Sequence, residues 1–465
     1  MFSIRSLLIS LVVFLSTPVV LGWASVEVAA SGLEFDSASF PLEKRRTGWQ
    51  AGPSQRGTIT IIWSCLSTMI ACTWTILHLN VPQQCDSGWR KFCRKTKWMI
   101  TTILFPEFIF SKAVCELQMA VNDLYDMKEK ERKVPATINS NKGSTAKAVT
   151  HPSTYSYDPD ILPDKERTWT LIHSYFANMG GFERYRNPVP YSNTIIPVTT
   201  NALVNCCVGS DHDPLPTLAL NEKDIEDKSK ADWFVKSIAV IQISWLLLSV
   251  IVRAVRKLPI SQLEICTSAF AILAIATYFA NWSKPKDVGA AVRFRIAADT
   301  YQCEAQKYHG EPFFLRQIKP SETLASVVGC RIENDFVRID GWLPTMAIAM
   351  AISTAVFGGL HCLAWNFEFP TEAELGIWMV ASVLSATIPT FALLLNITFV
   401  TGIHRDKLES AISPRDRASR LITIVGGLFY AVIRMLLLVL TFCAFRSVPE
   451  GLFIGTWTRF LPSIS

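Results

Sequence analysis

The sequence predicts an all-α, polytopic membrane protein with about six transmembrane helices, an interfacial or re-entrant helix and a partly disordered cytosolic loop. Three observations support this fold class. Half of the residues are hydrophobic and only 18% are charged, whereas an ordinary globular protein carries about 25% charged residues. The hydrophobic residues gather into blocks long enough to cross a bilayer. Most cations lie in loops beside those blocks, which indicates orientation in a membrane rather than nucleic-acid binding.

Residues 1–22 predict a signal peptide. Arg5 precedes an apolar core that ends in small residues, which is the pattern of a cleaved leader. An uncleaved anchor helix is the alternative. Residues 23–56 then form a lumenal tail. The leader predicts an integral membrane protein of the secretory pathway, located in the endoplasmic reticulum, Golgi, vacuole or plasma membrane.

Residues 57–121 predict the first transmembrane helix followed by an interfacial or re-entrant helix. Residues 58–81 contain no Asp, Glu, Lys or Arg, and at about 1.5 Å per residue they can cross a hydrocarbon core of about 30 Å. The cations between Arg90 and Lys97 mark the cytosolic side. The apolar run from Trp98 stops at Pro106-Glu107, and a charge at mid-bilayer costs roughly 2.5–3.5 kcal/mol. We therefore expect residues 98–120 not to cross.

The remaining chain predicts a polar, partly disordered loop over 122–232, a helical transmembrane bundle over 233–445 and an interfacial C-terminal tail over 446–465. The bundle would supply five crossings, at 233–252, 263–282, 345–365, 376–400 and 421–445. Pro389 is expected to kink the crossing at 376–400. The basic loops 82–97, 284–344 and 403–420 are then cytosolic and the acidic connector 366–375 is lumenal. Arg253, Arg256 and Lys257 disagree, because they fall on the lumenal side.

Several strings are similar to a group of uncharacterised multi-pass membrane proteins of filamentous fungi and mushrooms. They include RGTITIIWSCLSTMIACTWTILHLNVP (56–82), PEF (106–108), WTLIHSYFANMGGF (169–182), VFGGLHCLAWNFEFP (356–370) and FIGTWTRFLP (453–462), together with most of 228–288. The resemblance implies a fungal source and a membrane location. It implies no catalytic residue, because no activity is established for that group. Ala280-Asn281 departs from the aromatic pair expected there.

Polar groups at bilayer depth are the first functional candidates. Arg434 lies near the middle of the last crossing, where it would pair with Glu264 or bind an anionic ligand. A structural ion pair or a snorkelling side chain is the alternative. His78 and His361 fall near opposite membrane faces, so a shared metal site is not expected. Hydrogen bonding between helices is the alternative role for both histidines.

His173 is the best candidate in a loop, since it lies beside aromatic residues and ahead of Gly180-Gly181. The alternative is a helix over 168–179 that docks on the membrane face and ends at a glycine cap. A re-entrant segment would carry Glu107 toward the same face. We therefore ask whether His78, Glu107 and His173 converge on one cytosolic-side cavity.

Common catalytic motifs are missing from the sequence, including GxSxG, HExxH, the P-loop and GxGxxG. No cofactor and no metal are predicted. The expected function is a transporter-like or accessory membrane component; the alternative is a membrane-embedded enzyme acting on a lipid or apolar metabolite. A scaffold that binds partners through 122–232 is a third hypothesis. The lipid bilayer is the only partner that the sequence predicts, and no nucleic-acid binding is expected. The sequence identifies neither a small-molecule ligand nor a protein partner.

Overall fold

The computed structural model describes residues 46–49, 56–83, 86–133, 169–185, 195–200, 203–204, 220–229, 233–295, 310–312, 332, 334, 336–338, 345–403 and 414–455. The expected signal peptide, most of the expected lumenal tail, the Ser/Asn/Thr-rich stretch at 137–154 and the tail beyond 455 lie outside these residues.

The described chain is predominantly helical. Its helices are α1 (Thr58–Ile76), α2 (Gly88–Leu104), α3 (Pro106–Lys133), α4 (Leu171–Asn178), α5 (Glu222–Lys228), α6 (Trp233–Val255), α7 (Gln262–Ala280), α8 (Thr345–Cys362), α9 (Glu372–Ile403) and α10 (Pro414–Cys443). By length and composition α1, α7, α8, α9 and α10 can cross a membrane, and the bent pair α2–α3 passes the same test when taken together. The apolar stretch of α6, Val240–Val255, is shorter. The prediction of a predominantly helical fold with several helices apolar enough to cross a membrane is confirmed.

Contacts group the ends of the long helices at two ends of the bundle. At the first end, which we call the Glu264 end, Arg56 before α1 pairs with Glu264 in the first turn of α7. Arg446 after α10 pairs there with Glu374 in the first turn of α9. The strands β1 (Arg46–Thr47) and β7 (Val448–Pro449) are antiparallel neighbours and tie the two flanking segments together.

Arg253, near the end of α6, is one of the three cations that disagreed with the predicted orientation. Its side chain is fully buried. The guanidinium donates to the carbonyl oxygens of Pro259, Gly451, Leu452 and Ile454 at 2.8–3.2 Å. It therefore holds the C-terminal segment on the Glu264 end, and it is not one of the exposed loop cations that orient a membrane protein.

At the opposite end, which we call the Lys284 end, the segment after α7 meets the end of α1. Lys286 donates to the carbonyl oxygens of Trp74 and Thr75 at 3.1 and 2.9 Å. These carbonyls belong to the last turn of α1 and have no partner within the helix, so a lysine is a suitable cap. Lys95 of α2 pairs with Asp287 at 3.0 Å and lies 3.7 Å from the Trp74 ring centroid.

The helices α2 and α3 are separated by a sharp break at Phe105. The two helix axes differ in direction by 109°, and Phe105 has a non-helical backbone with φ −136° and ψ 63°. Proline explains the break, because Pro106 excludes the α conformation from the residue before it and is well tolerated at the first position of a new helix. The sequence predicted one interfacial or re-entrant helix over 98–120, whereas the structure divides this stretch between α2 and α3 and extends α3 to Lys133.

Part of the segment expected as a disordered loop is folded at the Lys284 end. The strands β2 (Phe182–Tyr185), β3 (Ile195–Pro197) and β4 (Val292–Arg295) form a small sheet, in which β2 pairs antiparallel with β3 and parallel with β4. A separate antiparallel pair joins β5 (Gly310–Pro312) to β6 (Phe336–Arg338). Buried side chains from α3, α4, α5 and this sheet pack together, including Met127, Phe176, Phe182 and Ile225. We call α4, α5 and this sheet the small α/β unit. Tyr175 of α4 donates to the carbonyl oxygen of Ala280 at 3.0 Å, which docks the small α/β unit on the end of α7.

Candidate functional site

Three charged side chains that lie deep inside the protein meet at the Lys284 end of the bundle. Lys112 and Glu116 are one helical turn apart on α3, and Lys284 follows the end of α7. Their exposed fractions are 7%, 8% and 3%. Lys284 Nζ lies 2.9 Å from Glu116 Oε2, and Lys112 Nζ donates to Glu116 Oε1. We call these residues the lysine–glutamate cluster; they share a single carboxylate.

Lys112 and Glu116 line a cavity of about 20 Å³, whereas Lys284 is connected to it through its contact with Glu116. A buried water needs about 10–15 Å³, so the space accommodates one or two waters or a single small anion. His78, Trp98, Asn281 and Asn334 complete the polar and aromatic part of the wall. The Oδ1 atom of Asn281 is buried without a hydrogen-bond partner, and a water in this space would donate to it.

The electrostatics of the cluster favour a negatively charged occupant. Two ammonium groups face one carboxylate, and burial disfavours a charge that has no partner. Burial lowers the pKa of Lys284 from 10.5 to about 8, Lys112 lowers it further, and Glu116 opposes the change. Lys284 is therefore mostly protonated at neutral pH but loses its proton far more readily than an exposed lysine.

A second polar cluster lies deeper in the bundle, where α3 begins. Glu107 is fully buried, and Tyr430 of α10 donates its hydroxyl proton to Glu107 Oε1. Arg434 Nη2 lies 3.8 Å from Glu107 Oε2, and Arg434 Nε donates to the carbonyl oxygen of Leu104 at 3.1 Å. The guanidinium carbon lies 3.8 Å from the centroid of the Phe357 ring. The break between α2 and α3 therefore supplies both the carboxylate and a carbonyl that Arg434 contacts.

The expected pairing of Arg434 with Glu264 is wrong. Glu264 lies in the first turn of α7, whereas Arg434 lies nine residues before Cys443, the end of α10, or about 14 Å into the bundle. Glu264 instead caps its own helix, accepting from Ser261 N at 3.0 Å, and it pairs with Arg56. The pair of Arg434 with Glu107 was not foreseen, because it depends on how far α3 reaches into the bundle.

His361 of α8 packs against the ring of Phe357, which Arg434 also contacts. Its Nδ1 is 2.8 Å from the carbonyl oxygen of Phe357, so Nδ1 carries the proton, and Nε2 is buried without a hydrogen-bond partner. His78 lines the cavity at the Lys284 end, with Nδ1 3.0 Å from the carbonyl oxygen of Ile76. The two histidines occupy different sites, as the sequence predicted.

His173 has a structural role at the start of α4. Its Nδ1 accepts from Thr170 N at 3.2 Å, and its Nε2 lies 2.9 Å from the carbonyl oxygen of Leu220. Burial lowers the pKa of His173, which keeps the ring neutral and able to accept the capping hydrogen bond. Gly180 follows the helix with φ +84°, so the predicted helix with a glycine cap is confirmed. His78, Glu107 and His173 do not converge on one cavity.

Sequence reasoning missed Lys112, Glu116 and Lys284 as site residues. Lys112 and Glu116 served only as a reason against a crossing, and Lys284 fell at a loop boundary. The available signal was the spacing of Lys112 and Glu116, four residues apart in an otherwise apolar stretch, because residues at this spacing are neighbours on a helix. In the described part of the chain, no group of three His, Cys, Asp or Glu side chains has the arrangement of a metal site.

Residues 33–302 match a family of unknown function (DUF8562). The matched region contains the whole lysine–glutamate cluster and Glu107, whereas His361 and Arg434 lie beyond it. No curated protein and no solved structure matches the chain.

Proposed function

We propose that this chain, which belongs to the family of unknown function DUF8562, is a transporter-like membrane protein that binds a small anion at the lysine–glutamate cluster. One observation carries the proposal: two buried lysines share one buried carboxylate beside a cavity. A buried charge without a partner costs several kcal/mol. An anion in the cavity would offset the excess positive charge without disturbing the existing ion pairs.

The break at Phe105 supports transport over simple storage of an anion. Contacts at both ends of the α2–α3 pair lie at the Lys284 end, through Lys95 with Asp287 and through Asp123 with Asn178. We infer that the pair enters and leaves the membrane on one face and is re-entrant. Broken helices of this kind line ion sites in many transporters, because their irregular backbone is sheltered by protein.

The helix α3 also links the two polar clusters along one possible path. Glu107 and Lys112 are five residues apart, which is about 7.5 Å along a helix. An anion released from Lys112 would next meet the guanidinium of Arg434, which contacts Glu107. Consecutive cationic positions that are each only partly neutralised allow an ion to bind and still leave.

The alternative, a membrane-embedded enzyme acting on a lipid or apolar metabolite, has less support. It would use a histidine as acid, base or ligand, but His78, His173 and His361 occupy three separate environments. His173 contacts Thr170 and Leu220 through both ring nitrogens. Anion binding requires only the cluster that the fold assembles.

We further infer a location in a membrane of the secretory pathway, with the Lys284 end in the cytosol. Support comes from the leader at residues 1–22, from the basic residues of α2 at this end and from the acidic connector at the other. A fungal source remains an inference from the resemblance of the sequence strings.

The test uses the full chain in nanodiscs, with sodium chloride, nitrate or phosphate replacing gluconate at constant ionic strength. At least one of these anions should raise the melting temperature, since a ligand that binds only the folded state stabilises it. The Lys284→Gln variant should lose the increase, whereas Lys257→Gln, an exposed lysine at the Glu264 end, should keep it. Proteoliposomes should show flux of the same anion with the same dependence on Lys284. Absence of any anion effect, or an equal effect in both variants, would refute the proposal.

The pH dependence gives a second check on the same site. Because the pKa of Lys284 is lowered to about 8, the stabilisation by the anion should fall between pH 7 and about 9. An exposed lysine, with a pKa near 10.4, would keep its charge over this range. Stabilisation that stays constant to pH 10 would show that Lys284 does not hold the anion.

A further inference from the structure

The first half of α2 presents a basic and aromatic surface that the rest of the described chain does not cover. Trp89 and Phe92 are 72% and 55% exposed and stack on each other with ring centroids 5.6 Å apart. Arg90, Lys91 and Lys97 are exposed beside them. These three cations form no ion pair with the described residues, in contrast to Lys95, which pairs with Asp287. We call Trp89, Arg90, Lys91, Phe92 and Lys97 the α2 surface.

The charge of the α2 surface is unfavourable for the helix itself. The first turn of α2 contains no acidic residue, and Arg90 and Lys91 lie next to its N-terminus. The N-terminus of a helix carries partial positive charge, so cations there destabilise the helix while anions stabilise it. The sequence thus retains a local electrostatic cost that a bound anionic group would remove.

The position of α2 brings this surface to the level of the lipid headgroups. Lys95 lies against the Trp74 ring, close to the end of α1. Trp98 is buried and stacks on Phe108 with ring centroids 6.3 Å apart. These contacts fix the face of α2 that carries Lys95 and Trp98 on the bundle where a membrane span ends. Lys91 lies one turn before Lys95 on that face, and Trp89, Arg90, Phe92 and Lys97 lie on the outward faces. Exposed Trp and Phe are typical of the boundary between headgroups and acyl chains.

We propose that the α2 surface binds anionic phospholipid headgroups, with Arg90, Lys91 and Lys97 contacting the phosphates while Trp89 and Phe92 enter the interface. The charge is complementary, and the aromatic residues adjoin the cations as in surface-bound amphipathic helices. Each basic residue beside a membrane span raises the binding constant for acidic lipids by about fivefold. This surface is separate from the buried lysine–glutamate cluster, so it stands independently of the anion proposal.

The chain offers a closely matched control. Arg90-Lys91 and Arg256-Lys257 are both adjacent pairs of exposed cations. The second pair lies at the Glu264 end, where Lys257 has a positive φ of 54°. The double variants R90Q/K91Q and R256Q/K257Q therefore remove the same charge from opposite ends of the molecule.

The experiment measures retention of phosphatidylserine relative to phosphatidylcholine on the full chain by native mass spectrometry, after purification from nanodiscs that contain both lipids. R90Q/K91Q should reduce the preference for phosphatidylserine by about 25-fold, from about fivefold for each cation. R256Q/K257Q should reduce it less than R90Q/K91Q, because the exposed Trp89–Phe92 pair adjoins the α2 cations. R90K/K91R should keep the preference, because it preserves the positive charge.

Other outcomes would overturn the proposal. Equal loss in both double variants would show a general charge effect. If the unsubstituted chain shows no preference for phosphatidylserine, the α2 surface does not bind anionic lipid. Binding of a soluble polyglutamate peptide in phosphatidylcholine nanodiscs, with the same dependence on Arg90 and Lys91 and no preference for phosphatidylserine, would identify a protein-docking surface instead. Melting temperatures of both variants in phosphatidylcholine alone, expected not to fall below that of the unsubstituted chain, separate loss of binding from loss of folding.

Discussion

Replacing Glu116 with glutamine removes the carboxylate that Lys112 and Lys284 share. Both lysines are more than nine-tenths buried, with exposed fractions of 7% and 3%. In the folded state the substitution leaves two ammonium groups facing a neutral amide. The unfolded chain has no such penalty, because water solvates both lysines. The free energy of unfolding should therefore fall.

The geometry sets the size of this effect. Lys284 Nζ and Glu116 Oε2 are 2.9 Å apart. At an effective dielectric constant of about 20, one ion pair at that separation is worth about 6 kcal/mol of Coulomb energy. Part of this gain disappears into the desolvation of both groups, and removing one partner of a buried pair costs about 3–5 kcal/mol. Glutamine keeps a hydrogen-bond acceptor, so we expect a loss of about 3 kcal/mol, at the lower end of that range.

Chemical denaturation in mixed micelles at pH 7 measures this loss. The control is Arg446→Gln, which breaks the pair with Glu374 at the Glu264 end, where the arginine side chain is 59% exposed. Exposed pairs contribute about 0–1 kcal/mol, so the control should change little. The triple variant K112M/E116L/K284M should recover most of the lost stability, since apolar residues often replace buried ion pairs without cost. If Glu116→Gln is no more damaging than Arg446→Gln, the cluster is not buried and paired as described.

Two further predictions concern a capping histidine and a helix contact. Burial lowers the pKa of His173 below 6.5, so the unfolded chain binds the proton more readily and stability should fall as the pH drops below about 6.5. His173→Gln should flatten this slope in thermal unfolding between pH 7 and 5, and an unchanged slope would assign the effect to other groups. A Cβ added at Gly358 would lie 2.5 Å from Ala386 Cβ, whereas one at Gly359 would meet nothing within 4 Å. Gly358→Ala should therefore lower the free energy of unfolding by about 1–3 kcal/mol, because it disturbs the α8–α9 contact. Gly359→Ala should be neutral or slightly stabilising in the same denaturation assay. Equal effects of the two variants would show that α8 and α9 do not meet at Gly358.

The sequence was sufficient for the features that depend on local composition. Uncharged blocks predicted the apolar helices, because charged side chains are costly inside lipid and a helix satisfies every backbone group there. The end of the apolar run at Pro106-Glu107 predicted that residues 98–120 do not cross, although the break before α3 that the proline causes was not predicted. Gly180 predicted the end of α4 through its freedom to adopt positive φ. Each of these rules acts over a few residues of the chain.

The partners of the buried charges could not be predicted, because they depend on depth within the bundle. Arg434 had two glutamates available in the sequence, and only the reach of α3 decides for Glu107 over Glu264. Arg253 appeared to be an exposed loop cation until the fold placed four carbonyl groups around it. Lys284 became a site residue only when α3 brought Glu116 to the end of α7.

The position of α3 gives these separate contacts a common mechanical consequence. Its first turn carries Glu107, which contacts α10, and its second and third turns carry Lys112 and Glu116, which line the cavity. Farther along, Asp123 accepts from Asn178 of the small α/β unit at 2.6 Å. A shift of α3 that improves anion contact at Lys112 must therefore also move Glu107 and Asp123, since a helix transmits displacement along its axis. On the anion-binding proposal, occupation of the cavity would then change both the Glu107–Arg434 contact within the bundle and the contact of Asp123 with Asn178 at the Lys284 end.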